Sequence, residues 1–312
     1  MKLSLFLIIY IVFMSRCNVQ ELPQYIFSYF KGNGEDGLHL AASTDGLSWT
    51  ALNNDSSFLI PAAGNDKLMR DPCIIHGPDK KFHMVWTVSW GEKGIGYASS
   101  VDLMNWSEQQ YIPVMEHEEN ALNCWAPELF YDDDGKYYMI YWSTTIPGRF
   151  PETDSTGDGN YNHRLYYVTT TDFVNYSDTR LLYDPAFNVI DATIIKHDDE
   201  YIMFLKNETK RPQPEKNIRI ARSRKLTEGW GPAGDPVTVN WVEGPTVLRK
   251  GNDWIVYFDM YRQHRMGAVM SHDLEHWTDI TGRLSFPDGT KHGTVLEVDT
   301  KTLSRLKRMH EK

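Results

Sequence analysis

The chain has 312 residues, a formal net charge of −10, 10 Trp and 17 Tyr. That length accommodates one large domain or two. The acidity, with no long basic run, excludes tracking of a phosphate backbone and so nucleic acid as a partner; an acidic, aromatic-rich surface suits a neutral polyhydroxylated ligand such as a sugar.

In chain order, residues 1–17 read as an export signal. Lys2 supplies the positive end and residues 3–13 are almost wholly apolar, a run too short to span a bilayer. The expected destination is the periplasm, the outer membrane as a lipoprotein, or the medium. Cys17 follows Met14-Ser15-Arg16, which is similar to a bacterial lipoprotein site apart from Arg16. Lipid anchoring, the one membrane contact expected, and simple secretion stand as equal alternatives. Cys73 and Cys124 read as small packing residues rather than a disulfide.

From residue 25 onward the chain repeats itself. Ser or Thr, then Asp two residues on, then an aromatic four residues later occurs at Ser43-Asp45-Trp49, Ser100-Asp102-Trp106, Thr170-Asp172-Tyr176 and Ser271-Asp273-Trp277. Residues 223–230 are a degenerate copy without the Asp. Such an Asp caps a turn through its own backbone, and the aromatic packs between sheets. Before each of the last four copies come three apolar or alternating runs, the first two joined by Gly, Asp and Lys as in hairpins. No segment sustains a helical period. Four strands per unit in five units predict an all-β, five-bladed β-propeller. The first unit lacks an inner strand and residues 293–298 are an inner strand without a blade. The C-terminal strand is therefore expected to complete the N-terminal blade and close the ring, with one domain over 25–298 and a solvated basic tail over 299–312.

Propeller geometry then aims the strand openings at one funnel. Asp71, Asp191 and Glu243 each stand at the mouth of an inner strand, with Trp125-Ala126-Pro127-Glu128 and His292-Gly293-Thr294 as looser versions. One such acid beside a Pro is usually a turn former; three converging on one axis point to glycoside hydrolysis. That chemistry needs an acid for the leaving oxygen and a carboxylate partner, about 6.5–9.5 Å apart for inversion or about 5–5.5 Å for retention. Around the funnel, Arg70, Trp90, Trp125, Glu128, Glu208 and Arg265 are the substrate-binding candidates. Each has a plain alternative: core for the tryptophans, a solvated head for Arg265 (or Arg262), a structural pair with Lys206 for Glu208, a hydrogen-bond partner behind the site for Glu128.

The set Asp71-Pro72, Trp125-Ala126-Pro127-Glu128, Asp191, Glu243-Gly244-Pro245 and His292-Gly293-Thr294-Val295-Leu296 resembles glycoside hydrolase family 43, in order and spacing over nearly the whole chain. The resemblance implies a five-bladed enzyme acting on arabinose- or xylose-containing plant glycans. It implies Asp71 as general base, Asp191 as the auxiliary acid that tunes the proton donor, Glu243 as general acid, and an inverting outcome. His292 matches an axial histidine that helps hold a cation, calcium being the candidate, or a water; the chemistry itself requires no cofactor. Arg70-Asp71-Pro72 is also similar to a triplet of fructan-cleaving propellers, but their nucleophile and Glu-Cys motifs are missing. The expectation is an exo-acting inverting hydrolase releasing a terminal sugar, α-L-arabinofuranose first, from plant polysaccharide side chains. β-Xylosidase, β-galactosidase or galactofuranosidase activity, or a non-catalytic glycan-binding propeller, are the alternatives.

Overall fold

The computed structural model describes residues 23–308; the stretch expected to be an export signal, with Cys17, lies outside them. Five antiparallel sheets surround one axis. Blade two runs Arg70–His76, Phe82–Thr87, Ile95–Ser100, Gln110–Ile112 from the axis outward, and blade three Trp125–Asp132, Tyr137–Thr145, His163–Thr170, Arg180–Tyr183. Blade five is Glu243–Lys250, Asp253–Met260, Arg265–Ser271, Thr278–Asp279. Blade one takes its inner strand, Val295–Val298, from the far end of the chain. Phe27 pairs with Val295 and Gln24 with Val298, so the expected closure is present.

The second strand of each blade is buried on both faces, which is why it reads as a nearly continuous apolar run. In Glu200–Asn207 the alternation decides which neighbour each side chain serves. Tyr201, Met203 and Leu205 pack towards blade three, whereas Ile202 and Phe204 pack towards blade five. Five such clusters fill the five blade interfaces. Trp142 is core, with its indole N–H on Thr144 at 2.8 Å. Cys73 and Cys124 are both free and buried.

Two expectations need correction. Blade four has three strands, Val189–His197, Glu200–Asn207 and Asn217–Ser223. The place of its fourth strand is taken by irregular chain that donates from Gly231, Gly234 and Val237 to that outer strand. Pro232 and Pro236 have no N–H to give a ladder. The tail is also not simply solvated. Thr300–Lys307 is an α-helix capped by Asp299, and its Leu303 and Leu306 are buried in the cluster between blades one and two. A short amphipathic turn after a strand carries too few residues for its period to show in sequence.

Candidate active site

Four inner strands open with the same irregularity. Pairing to the second strand slips between Arg70 and Cys73, Trp125 and Glu128, Ile190 and Thr193, and Glu243 and Thr246. The second residue of each bulge is left-handed: Asp71 at φ +53°, Ala126 at +46°, Asp191 at +49° and Gly244 at +60°. A bulge re-aims a side chain. Asp71 and Asp191 therefore occupy equivalent places, while Glu243 sits one residue earlier. Gly244 holds the bulge position in blade five because a Cβ there would lie 2.2 Å from the ring of His292. The imidazole fills that space, and the longer glutamate beside it reaches the funnel instead.

Opposite each bulge, the second strand ends its apolar run on one polar residue: Thr87, Ser143, Lys206 and Asp259 face Arg70, Trp125, Ile190 and Glu243. Each of these side chains supports the bulge of the next blade. The Thr87 hydroxyl accepts from the Ala126 N–H at 2.8 Å and donates to Asp71 Oδ2 at 2.8 Å. The Ser143 hydroxyl accepts from the Asp191 N–H at 3.2 Å. Lys206 Nζ donates to Glu243 Oε2 at 3.0 Å. Asp259 lies against the backbone of His292, and Ser28 of blade one donates to the Pro72 carbonyl at 2.7 Å. This ring was not recognised from sequence. Its signal was one polar residue at the end of each apolar second strand.

The three expected acids come together, and two of them, Asp71 and Asp191, are shifted in opposite directions. Burial works against ionisation of Asp71, but the hydrogen bond and charge of His292, with Arg70 and the Thr87 hydroxyl, outweigh it and hold the carboxyl below the usual aspartate range. His292 Nδ1 is 3.3 Å from Asp71 Oδ1. Burial disfavours the imidazolium, yet Asp71, Asp191 and Glu128 raise it to about 9. Asp191 is pushed up, first by burial and then by the charges of Glu243 and Asp71, against the opposing pull of His292 and Lys206. Its Oδ2 accepts the Gly244 N–H at 3.2 Å. Burial and Glu243 push Asp259 up to about 7.

The remaining candidates separate. Trp90 is 47% exposed and meets Trp125 edge-on at 5.4 Å. Tyr161 and His163 extend this aromatic wall, with Trp125 4.7 Å from Tyr161 and 4.9 Å from His163. Arg70 lies over the rings of Trp90 and Phe30 and donates to Asn33. Glu208 is no free sugar ligand, because it is held between Lys206 and Lys216. Arg265 is exposed, its guanidinium bonds Gln263, and it lines a small separate cavity with Asp288 and Thr290. Glu128 also departs from a substrate-facing place. It lies past its bulge, 5% exposed, and accepts from Cys73, Thr193 and Thr294; burial pushes it up to about 7. Two residues beyond the strand opening, it takes the place of its plain alternative, a hydrogen-bond partner behind the site. Tyr261, whose ring Lys206 covers at 5.1 Å, and Trp241, under Arg262, join the wall on the opposite side.

The fit of a cation was tested on His292. A calcium site needs six to eight oxygens, whereas the imidazole is hydrogen-bonded to Asp71 and favours its protonated form. No group of three or more His, Cys, Asp or Glu is placed to hold a metal among the described residues. Among the described residues, His292 and its neighbours do not make the oxygen-rich ligand set of a calcium site.

Fold and site together define a five-bladed propeller with a polar funnel that gathers carboxyl groups from three blades. Residues 20–303 match a family model of the family 43-related type, described as a probable glycosyl hydrolase domain, and the chain belongs to that family. Among curated relatives, an α-L-arabinofuranosidase of Bifidobacterium longum subsp. longum is 28% identical over 261 residues, which are 71% of this chain and 24% of that protein. A probable arabinan endo-1,5-α-L-arabinosidase C of Aspergillus flavus is 28% identical over 50% of each chain. The chain thus spans half or less of the length of these relatives. Among solved structures, a family 43 β-1,3-galactosidase superposes at TM-score 0.60 with 15% identity, over 93% of this chain and 60% of the other. An α-L-arabinofuranosidase from Clostridium thermocellum does so at 0.56 with 16% identity, over 88% and 94%. These two likenesses concern the fold.

Proposed function

We propose that this protein is an exported, exo-acting, inverting glycoside hydrolase that releases terminal α-L-arabinofuranose from plant polysaccharide side chains. The observation that carries the reading is the gathering of three carboxyl groups around one funnel: Asp71, reached by His292 and Thr87 and held ionised, and Glu243 from a non-adjacent blade beside Asp191. Asp71 takes a proton from a water as its oxygen attacks the anomeric carbon. Glu243 gives a proton to the glycosidic oxygen as the bond to that carbon breaks. Asp191, held by the Gly244 N–H next to the acid, discourages early loss of that proton by its own partial charge. Trp90, Trp125 and Arg70 wall the sugar. The names of the two curated relatives support arabinose as the sugar, and the apolar N-terminal run supports export.

Steady-state kinetics on an aryl α-L-arabinofuranoside test the roles. Asp71→Asn and Glu243→Gln are each expected to lower kcat/KM by on the order of 10²–10⁴ with unchanged melting; near-parental turnover in either would overturn the assignment. NMR of the first-formed anomer tests inversion. A panel of arabinan, arabinoxylan and arabinogalactan, read by chromatography, tests the sugar and separates single-residue release from internal cleavage.

A further inference from the structure

Lys206 is 2% exposed, and a buried ammonium beside a proposed proton donor needs a reason. Burying a cation is expensive unless it is fully paired. Here the pairing forms a chain of alternating charge. Lys216 bonds Glu208 Oε1, Lys206 lies 2.6 Å from Glu208 Oε2 and 3.0 Å from Glu243 Oε2, and the side chains of Lys206, Lys216 and Glu208 are 2%, 4% and 12% exposed. Glu243 is 30% exposed at its side chain, and among the described residues the hydrogen bond to its carboxyl, from Lys206, goes to Oε2. The other groups around this carboxyl are Asp191 at the bulge of blade four, Asp259 on the second strand of blade five, Tyr261 on the loop after that strand, and His292, three residues before the closing strand, whose ring packs on Gly244.

We propose that Lys206 is a positioning residue for the acid: anchored by Glu208, which Lys216 anchors in turn, it grips Oε2 of Glu243 and leaves Oε1 as the oxygen that carries the proton to the leaving group. In the reacting state Oε1–H faces the glycosidic oxygen and Oε2 accepts from the ammonium. As the C–O bond breaks, the proton moves from Oε1 to the departing oxygen and the carboxylate left behind is balanced by Lys206. This contact strengthens as charge develops, so it favours the transition state over the ground state. The ring of second-strand polar residues places Lys206 where Thr87 and Ser143 stand in other blades, but here the support acts on a side chain through a full charge. The inference rests on the reading of Glu243 as acid.

The test is Lys206→Met, with Glu208→Gln as a milder variant that keeps the ammonium and loosens its anchor. Both are assayed on two arabinofuranosides, one with a poor alkyl leaving group and one with a dinitrophenyl leaving group that departs without protonation. Lys206→Met is expected to lower kcat by about 10- to 100-fold on the alkyl substrate and by less than about threefold on the dinitrophenyl substrate. The alkaline limb of kcat/KM should move to higher pH, because a carboxyl deprived of an adjacent cation ionises less readily. Glu208→Gln should show the same leaving-group dependence at smaller size. Equal losses on both substrates, or none, would overturn the proposal and leave Lys206 a structural ion pair; if Lys206→Met does not fold, Glu208→Gln alone decides by the same criterion. Glu243→Gln, run alongside, separates the failures. Full alkyl activity in that variant removes the acid assignment itself, whereas a dead Glu243→Gln beside a normal Lys206→Met removes only this inference.

Discussion

The two rims of the propeller use aspartate in opposite ways. On the rim away from the funnel, Asp45, Asp102, Asp172 and Asp273 each accept two backbone N–H groups from residues two and three positions ahead. Those bonds hold Asp172 at about 2 and lower the other three. On the funnel rim, Asp191 accepts one N–H from a different blade, and Asp259 rises to about 7 with burial as the main cause. Local turns stabilise a carboxylate with the chain's own donors. Asp191 and Asp259 lose water without gaining enough donors, so burial raises them into the range where acid–base chemistry operates, whereas Asp71 on the same rim stays ionised because His292, Arg70 and Thr87 reach it.

The contrast is broken most sharply by exchanging charge for amide on each rim. Asp191→Asn should lower kcat by on the order of a hundredfold or more with little change in KM, measured on an aryl arabinofuranoside. An effect of comparable size is expected in stability at Glu128. Its carboxyl stands at 4.5 when unfolded and about 7 when folded, so its contribution is complete below the unfolded value and is lost as pH rises through the folded one. Glu128→Gln removes that dependence. Urea titrations should show the variant gaining about 3 kcal/mol on the parent between about pH 4 and about pH 8. An unchanged difference would mean that Glu128 is not held protonated.

Next in size is His292→Gln. The imidazolium helps hold Asp71 ionised, so its loss should raise that carboxyl and shift the acid limb of kcat/KM up by about one pH unit. The smallest effect belongs to the far rim. Asp102→Ala removes two local N–H bonds and should lower Tm by about 2–4 °C with kcat/KM unchanged, by calorimetry and kinetics on the same sample. A catalytic defect there would erase the distinction between the rims.

What the sequence determined by itself was whatever depends on neighbours in the chain. The Ser/Thr-x-Asp turns are complete within seven residues, and their recurrence counted the blades and showed that residues near 295 must close the ring. Asp71, Asp191 and Glu243 were legible for the same reason: each stands beside a recurring strand opening. Tertiary structure decided everything that depends on register and on contact between blades. The bulges separate Glu243 from the two aspartates by one position, and Glu128 becomes a hydrogen-bond partner behind the site. The ring of Thr87, Ser143, Lys206 and Asp259 becomes visible only when each second strand is laid against the next blade. A carboxylate's neighbours along the chain can predict that it is present at a strand mouth; its proton depends on burial and on charges that arrive from up to hundreds of residues away, as His292 does at Asp71.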